Sequence, residues 1–250
     1  MRKNVKRLIC SAWLCLFPLC ANAATPMISA GYSHAIALKS DGTVLTWGND
    51  SQGQLGLGRA LSSSTPAPVN GLGAVGAMAA GPEYSLVLKS DGTVWAWGRN
   101  DFGQLGNGTG ESVNRPQQVK GLAGVIAIAA GETGAMALMQ DGTVWAWGNP
   151  YGTTPARVPG LTGVKSISAG AYHGLALKSD GTVWAWGTNA KGQLGDGTTT
   201  FRSSPVQVAG LSGISAVSGG GTYPYSLALK QDGTVWAWGP RRSSTAPACS

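Results

Sequence analysis

Cysteine, histidine and charge are all scarce in this chain. Of its four cysteines, Cys10, Cys15 and Cys20 lie in the first 23 residues, and Cys249 stands alone near the end. No disulfide framework can be drawn within residues 24–250, so packing must hold that part together. The two histidines, His34 and His173, have no cysteine, histidine or carboxylate at metal-ligand spacing, so a zinc site has no support. Charged residues make up only 12% of the chain. Its formal charge is +7, but four of the 18 basic residues and none of the 11 acidic ones fall in residues 1–23. Without that segment the charge falls to about +3, spread thinly, which gives nucleic-acid binding no support. There is no Gly-x-Ser-x-Gly elbow and no Gly-Lys-Ser/Thr phosphate loop, so the many glycines read as turns. One apolar stretch stands out, Leu8 to Leu19, and it is too short to span a bilayer. With Arg2, Lys3, Lys6 and Arg7 before it and Ala21-Asn22-Ala23 after it, it reads as a secretory leader cleaved after Ala23. The expected location is therefore secreted or periplasmic, with no stable membrane insertion.

What the chain does have is repetition. Asp-Gly-Thr-Val-Trp-Ala-Trp-Gly recurs at 91–98, 141–148, 180–187 and 232–239, and Asp-Gly-Thr-Val-Leu-Thr-Trp-Gly stands at 41–48. Aligned on the small residues Ala30, Ala80, Ala130, Ala169 and Gly219, the copies are spaced by 50, 50, 39 and 50 residues. That period and the alternating apolar pattern predict about four strands per unit, as in propeller blades. Within a unit, Ser85 to Ser90 and Thr93 to Trp97 form a hairpin, with Asp91-Gly92 as a two-residue turn at positive φ. Trp95 and Trp97 share one strand face, Val94 and Ala96 the other, so both faces need cover. Packing between blades supplies it; a carbohydrate-stacking platform is the alternative use for these tryptophans. After each Trp-Gly comes a loop, preserved as Gly-Gln-Leu-Gly at 53–56, 103–106 and 192–195, then Pro-x-x-Val and Gly-Leu-x-Gly.

Trp-Gly-x-Asn-x-x-Gly-Gln-Leu-Gly, followed by Pro-x-x-Val and a small-small-Gly start to the next hairpin, resembles the RCC1 (regulator of chromosome condensation) repeat. The resemblance spans about residues 27–240 and implies an all-β fold, an RCC1-like β-propeller, usually of seven blades. Here there are about five. The third connection is cut down to Asn149–Pro159, and the fifth copy stops at Gly239 before a tail at 241–250 with no strand pattern, expected to be disordered. Either Met27-Ile28-Ser29 closes a five-bladed ring on the last blade, or the propeller is incomplete and open. An open edge, or Cys249, would then favour self-association.

No residue pattern argues for an enzyme or a cofactor. His34 and His173 occupy one repeat position, held by Tyr84, Gly134 and Tyr225 in the other copies, which favours a structural role. Five of the acids, Asp41, Asp91, Asp141, Asp180 and Asp232, shape turns. The residues that vary between copies lie in two loop sets at one end of the blades. Tyr32, Glu83, Glu132, Tyr172 and Tyr223 precede the hairpins; Asp50, Asp101, Phe102, Tyr151 and Lys191 follow them. Tyrosine-rich, mixed-charge loops on a rigid scaffold suit a protein partner, or alternatively a glycan. The resemblance permits an inhibitor-like role, as in secreted bacterial relatives, or nucleotide exchange on a GTPase, as in the eukaryotic namesake. The leader argues against exchange. A hydrolase with carboxylates at the channel and a degenerate fragment are the remaining readings.

Overall fold

The computed structural model describes residues 24–59, 61–221 and 223–240. The expected leader at 1–23, the tail at 241–250 and Cys249 lie outside them. The described residues form five antiparallel sheets and contain no helix long and apolar enough to cross a membrane. The first sheet runs β1 (Met27–Ala30), β2 (His34–Leu38), β3 (Val44–Gly48), β4 (Ser63–Pro68). The second runs β5 (Val75–Ala80), β6 (Tyr84–Lys89), β7 (Val94–Gly98), β8 (Val113–Gln118). The third holds β9 (Val125–Ala130), β10 (Gly134–Met139), β11 (Val144–Gly148), β12 (Gly152–Arg157), and the fourth β13 (Val164–Ala169), β14 (His173–Lys178), β15 (Val183–Gly187), β16 (Arg202–Gln207). The last has three strands, β17 (Ile214–Gly219), β18 (Ser226–Lys230) and β19 (Val235–Trp238). Each sheet packs on the next in chain order, through its first two strands.

The hairpin turn differs from the expected one. Among the described residues no residue other than glycine has positive φ, so Asp91 does not adopt it. Gly92 alone does, at φ 78°. The Gly92 N–H donates to the Lys89 carbonyl and the Lys89 N–H to that of Thr93, which makes a three-residue loop with glycine in the left-handed position. Asp91 instead accepts from the Thr93 N–H at 3.0 Å, and Asp41, Asp141, Asp180 and Asp232 repeat that bond.

The tryptophans pack between sheets, as their alternation requires. Trp97 and Trp147 are fully buried. Trp95 and Trp184, on the same strand face but nearer the hairpin turn, are half-buried under the Lys89 and Lys178 ammonium groups, 5.5 and 5.3 Å from the ring centres. Each buried indole N–H needs an acceptor. Trp97 finds the Gln54 carbonyl, Trp147 that of Gln104, and Trp238 that of Gln193, each at 2.8 Å. The acceptor is always the glutamine of the preceding sheet's Gly-Gln-Leu-Gly loop.

The two histidines do not meet across the axis. Each bridges to the next sheet: His34 Nε2 lies 3.0 Å from Ser85 Oγ, and His173 Nε2 lies 2.9 Å from Ser226 Oγ. Both serine hydroxyls donate to the glutamine carbonyls, Ser85 to Gln54 and Ser226 to Gln193. A hydroxyl has one hydrogen to give, so Nε2 must donate; Nδ1 of each ring is buried with no partner among the described residues, which favours the neutral Nε2–H form. Tyr84, at the same repeat position, bridges directly, its single hydroxyl hydrogen shared between the carbonyls of Gly134 at 2.8 Å and Gly131 at 3.1 Å.

The arc does not close by β1 pairing with the last sheet. β1 pairs with β2 and forms the first strand of its own sheet. At the other end the face of β19 is open, with Val235 68% and Trp236 48% exposed. Tyr225 occupies the position of the bridging Tyr84 and is 42% exposed; no further sheet receives it among the described residues.

Burial lowers the His34 and His173 pKa values from 6.5 to about 4. The folded state therefore favours neutral rings. Their contribution is complete above pH 6.5 and is lost as pH falls towards 4, by at most about 3 kcal/mol per ring. Thermal unfolding should show Tm dropping over that window. Replacing the His34–Ser85 pair by Tyr and Ala, the pair present at 84 and 135, should remove about half of the drop.

Candidate functional site

The hairpin register places the two variable loop sets at one end of the arc. Residues 34, 84, 134 and 173 each pair with the glycine that ends the next strand, Gly48, Gly98, Gly148 and Gly187. Glycine is required there: Gly98 has φ 108°, and a Cβ on it would stand 2.5 Å from the Glu83 carbonyl oxygen. That close approach draws the loop before β6 against the loop after β7.

Five of the predicted residues meet there. Tyr32, Glu83, Phe102, Glu132 and Tyr172 line one depression of about 510 Å³, together with Arg99 and Thr133. Arg99 organises one wall. Its guanidinium is 2.7 Å from Glu83 and 2.7 Å from Asp101, and lies 5.5 Å from the Phe102 ring centre. Exposed ion pairs of this kind add little stability, but a doubly held guanidinium is fixed in direction. On the opposite wall burial raises the Tyr172 pKa, and the nearby Glu132 carboxylate raises it further. Tyr32 is 79% exposed. Three carboxylates against one guanidinium give this surface a negative balance among open aromatic rings. Among the described residues no group of three or more His, Cys, Asp or Glu is placed to hold a metal ion.

The other predicted residues sit elsewhere. Tyr223 (67% exposed) belongs to the loop before β18, and Lys191 is exposed in the fourth sheet's loop; neither lines the depression. Tyr151 is half-buried in the seam between the third and fourth sheets, where burial pushes its hydroxyl up to about 12.

Asp50 is fully buried and no part of a surface. It occupies the slot of Asn100 and Asn189 and does their work for the loop, accepting the Leu55 N–H at 2.8 Å as they accept those of Leu105 and Leu194. Asn100 also donates from its amide to the carbonyls of Thr109 and Glu111. A carboxylate has no such hydrogen, and Asp50 Oδ2 has no partner among the described residues. Burial accordingly raises its pKa. Arg99 is the residue of the depression that sequence reasoning missed. The signal was there, a cation at the loop's x position two residues before Asp101.

The chain matches the family described as Regulator of chromosome condensation (RCC1) repeat over residues 91–138 and 180–226. A second family of the same description matches residues 28–54, 77–104 and 164–193. Together these segments take in more than half of the chain. No curated protein matches. Among solved structures, human WBSCR16 is 28% identical at a TM-score of 0.72, over 79% of this chain and 56% of that one. Yeast RCC1 (Prp20), solved with Kap60, is 24% identical at 0.75, over 85% and 55%. Prp20p from Saccharomyces cerevisiae, whose report also covers binding to Gsp1p and histones, is 24% identical at 0.71, over 87% and 56%. This chain thus spans about half the length of these structures.

Exchanging Asp50 for the residue of the sister loops should stabilise the fold. Asp50→Asn restores a donor to a buried site, worth about 1–3 kcal/mol. A group whose folded pKa is raised supports folding only at low pH. The gain in Tm over the parent should therefore be largest at neutral pH and shrink below the carboxylate's folded pKa, as measured by calorimetry across pH.

Proposed function

Because this chain belongs to the RCC1 repeat family, with that family's stacked sheets as a rigid scaffold, we propose that it is a non-enzymatic protein-binding module, exported by its leader. The observation that carries this reading is the convergence of Tyr32, Phe102, Glu132, Tyr172 and the Glu83–Arg99–Asp101 group on one depression. Loops from the first four sheets contribute, so the surface exists only when the repeats are assembled. Its chemistry suits a partner segment that presents a lysine or arginine flanked by apolar groups. The cation would meet Glu132 and Glu83, and the apolar part the three aromatic rings. An inhibitor-like role against another exported protein fits the same surface. The partners named for yeast Prp20 belong to that protein; at 24% identity the likeness supports the scaffold alone. A carbohydrate platform of tryptophans has less in its favour, since Trp95 and Trp184 are capped by lysines.

The test is capture of exported proteins on residues 24–250, followed by affinity measurement with the purified partner. Tyr32→Ala with Tyr172→Ala, and separately Glu132→Lys, should each weaken binding by roughly tenfold or more. Lys39→Ala with Lys89→Ala, in the hairpin turns at the opposite end of the blades, should leave it unchanged. Binding that ignores the first two variants but responds to the third would overturn the reading.

A further inference from the structure

The seam between the third and fourth sheets lacks what fills the others. Elsewhere a ring at the first residue of the hairpin crosses to the next sheet: His34, Tyr84 and His173. In the third sheet that residue is Gly134, and the position facing it across the seam, Ser85 or Ser226 in the histidine seams, is Gly174. The third sheet also lacks the Gly-Gln-Leu-Gly loop, so Trp186 has no glutamine carbonyl, and Tyr151 packs into the same cluster as Trp186.

These losses leave a cavity of about 350 Å³ with largely apolar walls, among them Met136, Tyr151, Trp186 and Phe201. That volume lies in the range of small-molecule sites. The chain cannot refill it from either glycine. A Cβ on Gly134 would stand 2.7 Å from the Trp147 carbonyl oxygen, and one on Gly174 2.5 Å from the Trp186 ring.

The neighbouring seam shows which chemistry fits. There the Tyr84 ring fills the slot and its hydroxyl hydrogen is shared between the carbonyls of Gly131 and Gly134, at 3.1 and 2.8 Å. Thirty-nine residues on, by the repeat spacing, the corresponding carbonyls belong to Gly170 and His173, and both residues line the cavity. The Gly170 N–H donates to the His173 carbonyl as that of Gly131 does to Gly134, so the acceptor turn is preserved where its donor is gone. We propose that this seam binds a small para-substituted phenol, its ring against Trp186 and Met136 and its hydroxyl on the Gly170–His173 turn. The phenol is either a free small molecule or a tyrosyl side chain.

Trp186 reports on occupancy, so the test is a titration of residues 24–250 followed by indole fluorescence and by NMR. The probes are p-cresol, N-acetyltyrosinamide and toluene. p-Cresol should bind, and toluene, which has the ring without the hydroxyl, should bind about tenfold more weakly. N-acetyltyrosinamide matching p-cresol would identify the source as a tyrosyl side chain; binding of p-cresol alone would identify a free phenol. Either result supports the site. Ser203→Trp, an exposed residue at the cavity mouth, should abolish binding while leaving Tm unchanged. If that variant does not fold, NMR contacts between p-cresol and the Met136 methyl group decide the matter in the parent protein. Equal binding of toluene and p-cresol, saturation unaffected by a folded Ser203→Trp, or no p-cresol binding up to about 10 mM would each overturn the proposal.

Discussion

The fold turns on one hydrogen bond repeated from sheet to sheet, an indole N–H given to the glutamine carbonyl of the preceding sheet's loop. The DGTVWAWG strand is apolar on both faces, so no sheet is stable alone and each must lie between neighbours. That brings a tryptophan N–H into a space without water, where an unpaired donor would cost more than a typical hydrogen bond contributes. Trp97, Trp147 and Trp238 meet the demand in the same way. The asparagine or aspartate at 50, 100 and 189 serves that bond indirectly. By accepting the leucine N–H next to the glutamine, it fixes the turn that aims the glutamine carbonyl.

The histidine and tyrosine bridges are variations on the same seam. A histidine is short and stops at the next sheet's serine, whose hydroxyl returns to the glutamine carbonyl of the histidine's own sheet; a tyrosine is longer and reaches the next sheet's backbone carbonyls by itself, with Ala135 at the facing repeat position. Each ring is thus matched to the residue that faces it across the seam. Where both partners become glycine, at 134 and 174, and the loop is shortened as well, the seam keeps its backbone and loses its filling. The irregular repeat, which looks like decay when the copies are aligned, leaves a bounded cavity.

The loop face has a different physical basis. Its residues owe their place to the Gly98-type close approach, which pins loop ends while leaving loop tips free to vary. Glu83 and Asp101 lie on opposite sides of Arg99 because one belongs to the loop before the hairpin and the other to the loop after it. The same geometry that stacks the sheets therefore gathers side chains that are remote in sequence.

Much of this was legible in the residues. The five copies, the all-β architecture, the burial of the tryptophans and the shared face of the two loop sets follow from period-two alternation and from short-range hairpin chemistry. The pairing of β1 within its own sheet, the burial of Asp50, the half-burial of Tyr151, the bridging by His34 and His173, and the position of Arg99 between two carboxylates did not follow. Each depends on which neighbour stands across a seam, and linear spacing does not encode that. Sequence determined the repeating unit because its forces act within a few residues. Tertiary structure alone decided which polar atoms found partners, because burial is a property of the assembled sheets.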